Sequence, residues 1–206
     1  MQENFRRREH RPISARPPGH RPALHLLALL LFVSLYPLAA NSQQIRPTAW
    51  EVKAAYLYNF GKFVRWPGLA QSRASFDICV VGKNPFGSAL QSIVSGEKID
   101  GANIVVKNST SLQDAGHCRI FFVSSSEENR IKPILAAARQ SNVLTVSDVP
   151  GFAQLGGMIE LVNQEENIRF AVNLSAINEA GLTVSSELLK VAVKVVGINQ
   201  ARGTDR

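Results

Sequence analysis

Short apolar runs separated by helix signals constrain this chain more than any other feature. Phe76–Val81 ends at Gly82-Lys83-Asn84-Pro85, Ile104–Val106 and Ile120–Val123 follow, and Val143–Val146 closes the series. Continuous runs such as Ile104–Val106 and Ile120–Val123 suit strands buried on both faces, as in parallel sheets covered by helices. The segments between them carry capping residues. Asn84 reads as an N-cap, with Pro85 at the first position of a helix to about Val94. Ser125 and Glu128 form a capping box ahead of a helix striped by Ile131, Ile134, Leu135 and Ala138. Strand, helix, strand, strand, helix, strand argues for an α/β layer with at least partly parallel pairing.

The flanking segments complete the fold. A capping box of Thr48 and Glu51 opens a helix to about Phe63, closed by Trp66-Pro67. Six of the twelve aromatics in residues 41–206 fall between Trp50 and Trp66. Trp50 and Tyr58 project differently from Phe60 and Phe63, which leaves aromatic surface for a partner. Beyond the turn-rich Pro150–Gly157, Met158–Val162 and Ile168–Val172 read as a hairpin, and a short helical turn is expected after Asn173. Ser186–Val196 reads as a last helix, apolar almost all round and stopped by Gly197. The expected fold is a single-domain α/β sandwich: a central mixed, partly parallel sheet flanked by helices, plus a C-terminal hairpin and helix.

From Pro22 to Ile45 there is no charged residue, and Arg6, Arg7, Arg8, Arg11, Arg16 and Arg21 precede that stretch. A basic segment, an apolar segment and then Pro37-Leu38-Ala39-Ala40 is the order of a secretory signal, with cleavage expected after Ala40. The competing reading is an uncleaved anchor, since about 20 apolar residues span a bilayer. Either way residues from about 41 onward leave the cytoplasm. The chain then divides into a leader, 1–40, a linker, 41–47, a folded domain, 48–197, and a tail, 198–206. Of the net charge of +7, residues 41–206 keep 17 basic and 14 acidic residues with no Lys/Arg run, which disfavours a nucleic-acid partner. Outside the cytoplasm the two cysteines, Cys79 and Cys118, read as a bridge rather than as two free thiols.

Catalytic signatures are lacking. His117 is the one histidine of residues 41–206. With Cys79 and Cys118 it supplies three zinc ligands only if the bridge is absent, and no motif gives it a nucleophile and oxyanion hole. Gly82–Gly87 has the glycine spacing of a phosphate loop, but Ser88-Ala89 stands where such a loop needs Lys and Ser/Thr. No catalytic residue, metal or cofactor is expected.

Val52-Lys53-Ala54-Ala55-Tyr56-Leu57-Tyr58-Asn59-Phe60, continuing to Trp66-Pro67, then Ile78-Cys79-Val80-Val81-Gly82 with Pro85-Phe86-Gly87, form an ordered set. Cys118–Val123, Val143–Asp148, Gly151-Phe152, Gly156-Gly157-Met158-Ile159, Ile168-Arg169-Phe170, Asn173-Leu174, Gly181-Leu182 and Ser185–Leu189 continue it. In this order the motifs resemble the YfiR family of secreted bacterial proteins. The resemblance implies a periplasmic α/β domain with Cys79 and Cys118 in the positions of the family's structural disulfide. It also implies repression of an inner-membrane diguanylate cyclase through the cyclase's periplasmic sensor part. Two departures stand out. The second disulfide of some relatives is missing, and Arg65 occupies the position before Trp-Pro that is commonly acidic.

Two readings follow. In the first the domain is a non-enzymatic regulator of a diguanylate cyclase or sensor kinase, with Trp50, Tyr58, Arg65, Trp66, Leu189 and Val193 as candidate partner-binding residues. In the second it binds a small molecule and feeds a sensor kinase or an uptake system. Lys83, Asn84, Gly151 and Phe152 then lie on the ligand loops, because ligands of open α/β sheets bind at the carboxyl ends of strands. A homodimer is the default oligomer.

Overall fold

A computed structural model describes residues 46–67, 74–109, 112–139 and 141–197. The expected leader and tail, and most of the linker, lie outside the described residues. Contacts divide the chain into units 1–45 and 46–206, and the second holds everything that follows.

The first helix, α1 (Ala49–Phe63), starts as its sequence predicts, with Thr48 as N-cap. The Thr48 amide and hydroxyl donate to Glu51 Oε2 at 2.6 and 2.9 Å, and the Glu51 amide donates back to the Thr48 hydroxyl at 3.3 Å. The bonds from Thr48 hold the Glu51 carboxyl below its usual pKa. A depressed folded-state pKa means that the cap stabilises above the unfolded carboxylate's pKa and fades as pH falls through the folded value. Glu51→Gln is therefore expected to melt below wild type at neutral pH. The two melting curves should converge under acid, as followed by circular dichroism.

The remaining elements are β1 (Val64–Arg65), β2 (Ser75–Val81), α2 (Ala89–Val94), β3 (Lys98–Ile99), β4 (Ala102–Ser109), β5 (Ile120–Val123), α3 (Ile131–Ala138), β6 (Leu144–Ser147), β7 (Ile159–Gln164), β8 (Asn167–Asn173), α4 (Leu174–Glu179), β9 (Thr183–Val184), α5 (Ser186–Val191) and β10 (Lys194–Val196). Eight strands form one sheet in the order β10-β8-β7-β6-β5-β2-β4-β3. Strands β4, β2, β5, β6 and β7 run parallel, β7 and β8 are antiparallel, and β10 lies parallel to β8. Strands β1 and β9 make a separate antiparallel pair.

The sheet has apolar packing on both faces. On one face Leu57 and Phe60 of α1, Leu90 of α2, Ile177 of α4 and Leu188 of α5 pack against Ile78, Val80, Ile120, Phe122 and Leu144. On the other, Ile131, Ile134 and Leu135 of α3 pack with Cys79, Val81, Cys118, Phe121 and Phe152. The expected α/β sandwich with its mixed sheet and hairpin is thus the observed one.

Four local expectations are corrected. Ser186–Val196 is not one helix: α5 ends at Val191, and Lys194–Val196 becomes β10. The β-branched Val193, Val195 and Val196 suit an extended strand, and pairing with β8 supplies the hydrogen bonds a helix would have made. Asn84 caps a turn rather than a helix. Its Oδ1 accepts from the Phe86 amide at 2.9 Å, and α2 begins only after Ser88. Ser125 and Glu128 do not form a capping box, because Ser124 caps a 3₁₀ turn, Ser125–Arg130, placed before α3. Ile104–Val106 is not buried on both faces: Ile104 is buried, but Val105 is 37% exposed on a strand whose outer side is covered only by the two-residue β3.

Candidate functional site

Cys79 and Cys118 are joined, with their Cα atoms 5.9 Å apart. Cys79 lies in β2 and Cys118 just before β5, its parallel neighbour, and both are buried against α3. The bond thus ties the two central strands at the end where β5 begins.

The candidate partner residues do not form one patch. Trp50 stands in the first turn of α1 and Arg65 just beyond its last, and the helix between them is about 20 Å long at 1.5 Å per residue. Trp50 packs edge-on against Phe86, Trp66 packs edge-on against Phe76, and the Tyr58 hydroxyl donates to Glu97 at 2.6 Å. That hydrogen bond raises the pKa of Tyr58. The end of α1 and the start of α5 do meet, through the β1–β9 pair and a hydrogen bond from the Ser185 amide to the Phe63 carbonyl, 2.9 Å. Phe63, Arg65, Val184 and Glu187 share a surface cavity there. Leu189 is half-buried, while Val191 and Val193 are 58% and 43% exposed at the α5–β10 junction.

The candidate ligand loops are engaged with the protein itself. The chain leaves β2 for β4 and returns to β5 on its other side, which makes the β2/β5 carboxyl ends the switch point of the sheet. That crevice is filled. A Cβ on Gly82 would stand 2.4 Å from Ser126 Oγ and 2.6 Å from Glu127 Cγ, and the Lys83 amide donates to Ser126 Oγ at 2.9 Å. Asn84 Nδ2 donates to Asn108 at 3.1 Å. The Gly151 and Ala153 amides donate to the two oxygens of buried Glu160, at 2.9 and 3.1 Å. Phe152 is fully buried in the second core cluster, so its ring is a packing group and not a loop-tip contact.

Sequence reasoning missed a polar pair. Lys53, one turn into α1 and 4% exposed, bonds Asp148 Oδ2 at 2.8 Å just after β6. Its ammonium also lies 4.1 Å from the centre of the Trp50 ring. Asp148 Oδ1 is buried without a hydrogen-bond partner. The available signal was a Lys three and four residues from Trp50 and Leu57, in register with the apolar residues of the helix, with an Asp directly after an apolar strand.

A family profile described as YfiR/HmsC-like matches residues 50–193, from the first turn of α1 to the junction with β10. The chain belongs to the YfiR/HmsC-like family. The two sheet faces, the disulfide and the Lys53–Asp148 pair all lie within that match. No curated protein is similar to the chain in sequence. A conserved domain protein from Vibrio cholerae O1 biovar El Tor aligns at 14% identity and TM-score 0.47, over 72% of this chain and 60% of that one. An ABC domain in complex with L-Trp from Streptococcus pneumoniae aligns at 10% identity and TM-score 0.45, over 59% of this chain and 55% of its own. An open, ligand-free substrate-binding protein with adhesive properties from Clostridium difficile aligns at 12% identity and TM-score 0.41, over 59% and 54%. This member of the YfiR/HmsC-like family spans less than two thirds of each of these solved chains. Among the described residues, no helix is long and apolar enough to cross a membrane.

Proposed function

We propose that this domain is a non-enzymatic periplasmic regulator that docks on the periplasmic part of an inner-membrane signalling protein, a diguanylate cyclase in the first instance, and holds it inactive. Membership of the YfiR/HmsC-like family, matched over residues 50–193, carries this reading. The docking surface centres on the junction of α1 with α5 and β10. Phe63 and Arg65 stand on one side of the β1–β9 pair, and Val191 and Val193 follow at the far end of α5, so apolar and cationic groups are offered together. Exposed valines beside Lys190 and Lys194 suit a partner that buries an apolar centre within a polar rim.

The test is cellular. A photo-crosslinking residue placed at Phe63 or Val193 is expected to capture an inner-membrane cyclase, and one at Lys132, on the outer side of α3, is not. Val193→Asp should raise cyclic-di-GMP as much as loss of the whole protein does, with the secreted amount unchanged. Unchanged cyclic-di-GMP in the deletion strain would sink the cyclase assignment.

A further inference from the structure

A small cavity lies where the end of α3, the Pro150–Gly157 turn and α4 meet. It encloses about 220 Å³ and is lined by Arg139, Gly156, Met158, Ala176, Glu179 and Ala180. Met158 and Ala180 form an apolar floor, at 3% and 8% exposure. The rim carries one charge of each sign. Arg139 follows α3, and its guanidinium lies 3.1 Å from where a Cβ on Gly156 would stand. Gly156 has φ +101°, so a side chain there would strain the backbone and displace the guanidinium.

Neither rim charge serves the fold through a side-chain partner. Arg139 and Glu179 form no ion pair or side-chain hydrogen bond among the described residues, with each other or with any other group. Glu179 also ends α4, where the helix carbonyls already concentrate negative charge. The larger cavity at the start of α1 differs in this respect, since its Arg46 and Glu166 stand 3.8 Å apart and satisfy one another.

We propose that this cavity binds a small zwitterion, an α-amino acid with a short aliphatic side chain. The carboxylate pairs with Arg139, the ammonium with Glu179, and the side chain rests on Met158, Ala176 and Ala180. A guanidinium takes a carboxylate through parallel N–H donors, which fixes orientation as well as charge. The site includes Met158, directly before β7, and Arg139, on the connection from α3 to β6, and no residue of the loop after β2. It does not depend on the regulator reading.

Calorimetric titration of the protein purified from its own cells tests this. L-valine is expected to bind saturably at millimolar concentration or below. Isovalerate, which lacks the amine, and isobutylamine, which lacks the carboxylate, should each bind at least tenfold more weakly. Arg139→Gln and Glu179→Gln replace exposed side chains, so both variants should keep the wild-type melting temperature and lose at least tenfold in L-valine affinity. Exchanging the charges, Arg139→Glu with Glu179→Arg, should restore part of that loss. Lack of saturable L-valine binding overturns the proposal, as does binding that both single variants retain. Isovalerate binding as tight as L-valine also overturns it, because an anion site at Arg139 alone would then be the whole of the chemistry.

Discussion

Cys79→Ser is expected to lower the unfolding free energy by about 2–5 kcal/mol, a large share of what a small domain has. The bond joins residues 39 positions apart, and the chain between them includes α2, β3 and β4. Cutting it returns the closure entropy of that loop to the unfolded chain, roughly 4 kcal/mol on chain-entropy grounds. The serine adds a second cost. Position 79 is 1% exposed among Val81, Phe121, Ile134 and Phe152, where an unpartnered hydroxyl costs about 1–3 kcal/mol. Cys79→Ala with Cys118→Ala removes the bond without burying a hydroxyl, so it should lose less than Cys79→Ser alone. The gap between the two variants separates the entropic part from the desolvation part. Urea unfolding followed by tryptophan fluorescence measures both. Because the sulfurs are buried, dithiothreitol should leave the folded wild type intact and lower its midpoint only in urea. A Cys79→Ser midpoint equal to wild type would mean that the bond constrains nothing.

Where neighbouring residues decide the structure, the sequence was readable. Thr48 and Glu51 start α1 by bonding to one another, and no distant contact has to be known. Ile120–Val123 is apolar at every position, and a four-residue run with all four side chains buried has few homes besides a central strand. The alternating pattern fails where a segment's fate depends on what lies beside it. Val191–Val196 is apolar enough for a helix, and the vacant edge of β8 made it a strand. Asn84 precedes Pro85 as a cap should, yet its amide group is also within reach of Asn108 on β4, and the turn that results delays α2 to Ala89.

The candidate sites were harder for the same reason. Whether a loop after a strand is open depends on the segment that crosses it, and the 3₁₀ turn carrying Ser126 and Glu127 crosses the loop after β2. Arg139 and Glu179 are 40 positions apart and belong to no motif, so only the fold, which brings the residue after α3 and the last residue of α4 to the same cavity, puts them on one rim. Tyr58 and Trp66 were expected to face a partner, and each is engaged within the domain, by Glu97 and by Phe76.

Lys53 and Asp148 carry the other large effect. Lys53→Met is expected to cost about 3–5 kcal/mol, as for other buried pairs that lose one partner. The substitution takes the ammonium from Asp148 Oδ2 while Oδ1 already has no partner, so a carboxylate 10% exposed would hold its charge with neither oxygen bonded. Asp148→Asn should cost less. The Lys53 ammonium it strands still lies against the Trp50 ring, and a cation over an indole face keeps part of its stabilisation. Combining Lys53→Met with Asp148→Leu removes both charges and should recover most of the loss, which a double-mutant cycle reads as coupling of about 0.5–3 kcal/mol. Near-UV circular dichroism of Trp50 would show whether the start of α1 detaches along with the stability. The pair is the one side-chain ion bond described between α1 and the parallel strands, so losing it should loosen the helix whose far end bears Phe63 and Arg65. If regulation depends on that end being held in place, Lys53→Met should raise cyclic-di-GMP under conditions where the protein remains folded. The double variant should bring it back down. Single variants within about 1 kcal/mol of wild type would show the pair to be a passenger, and a double variant no better than Lys53→Met would show that packing, not charge, holds the helix there.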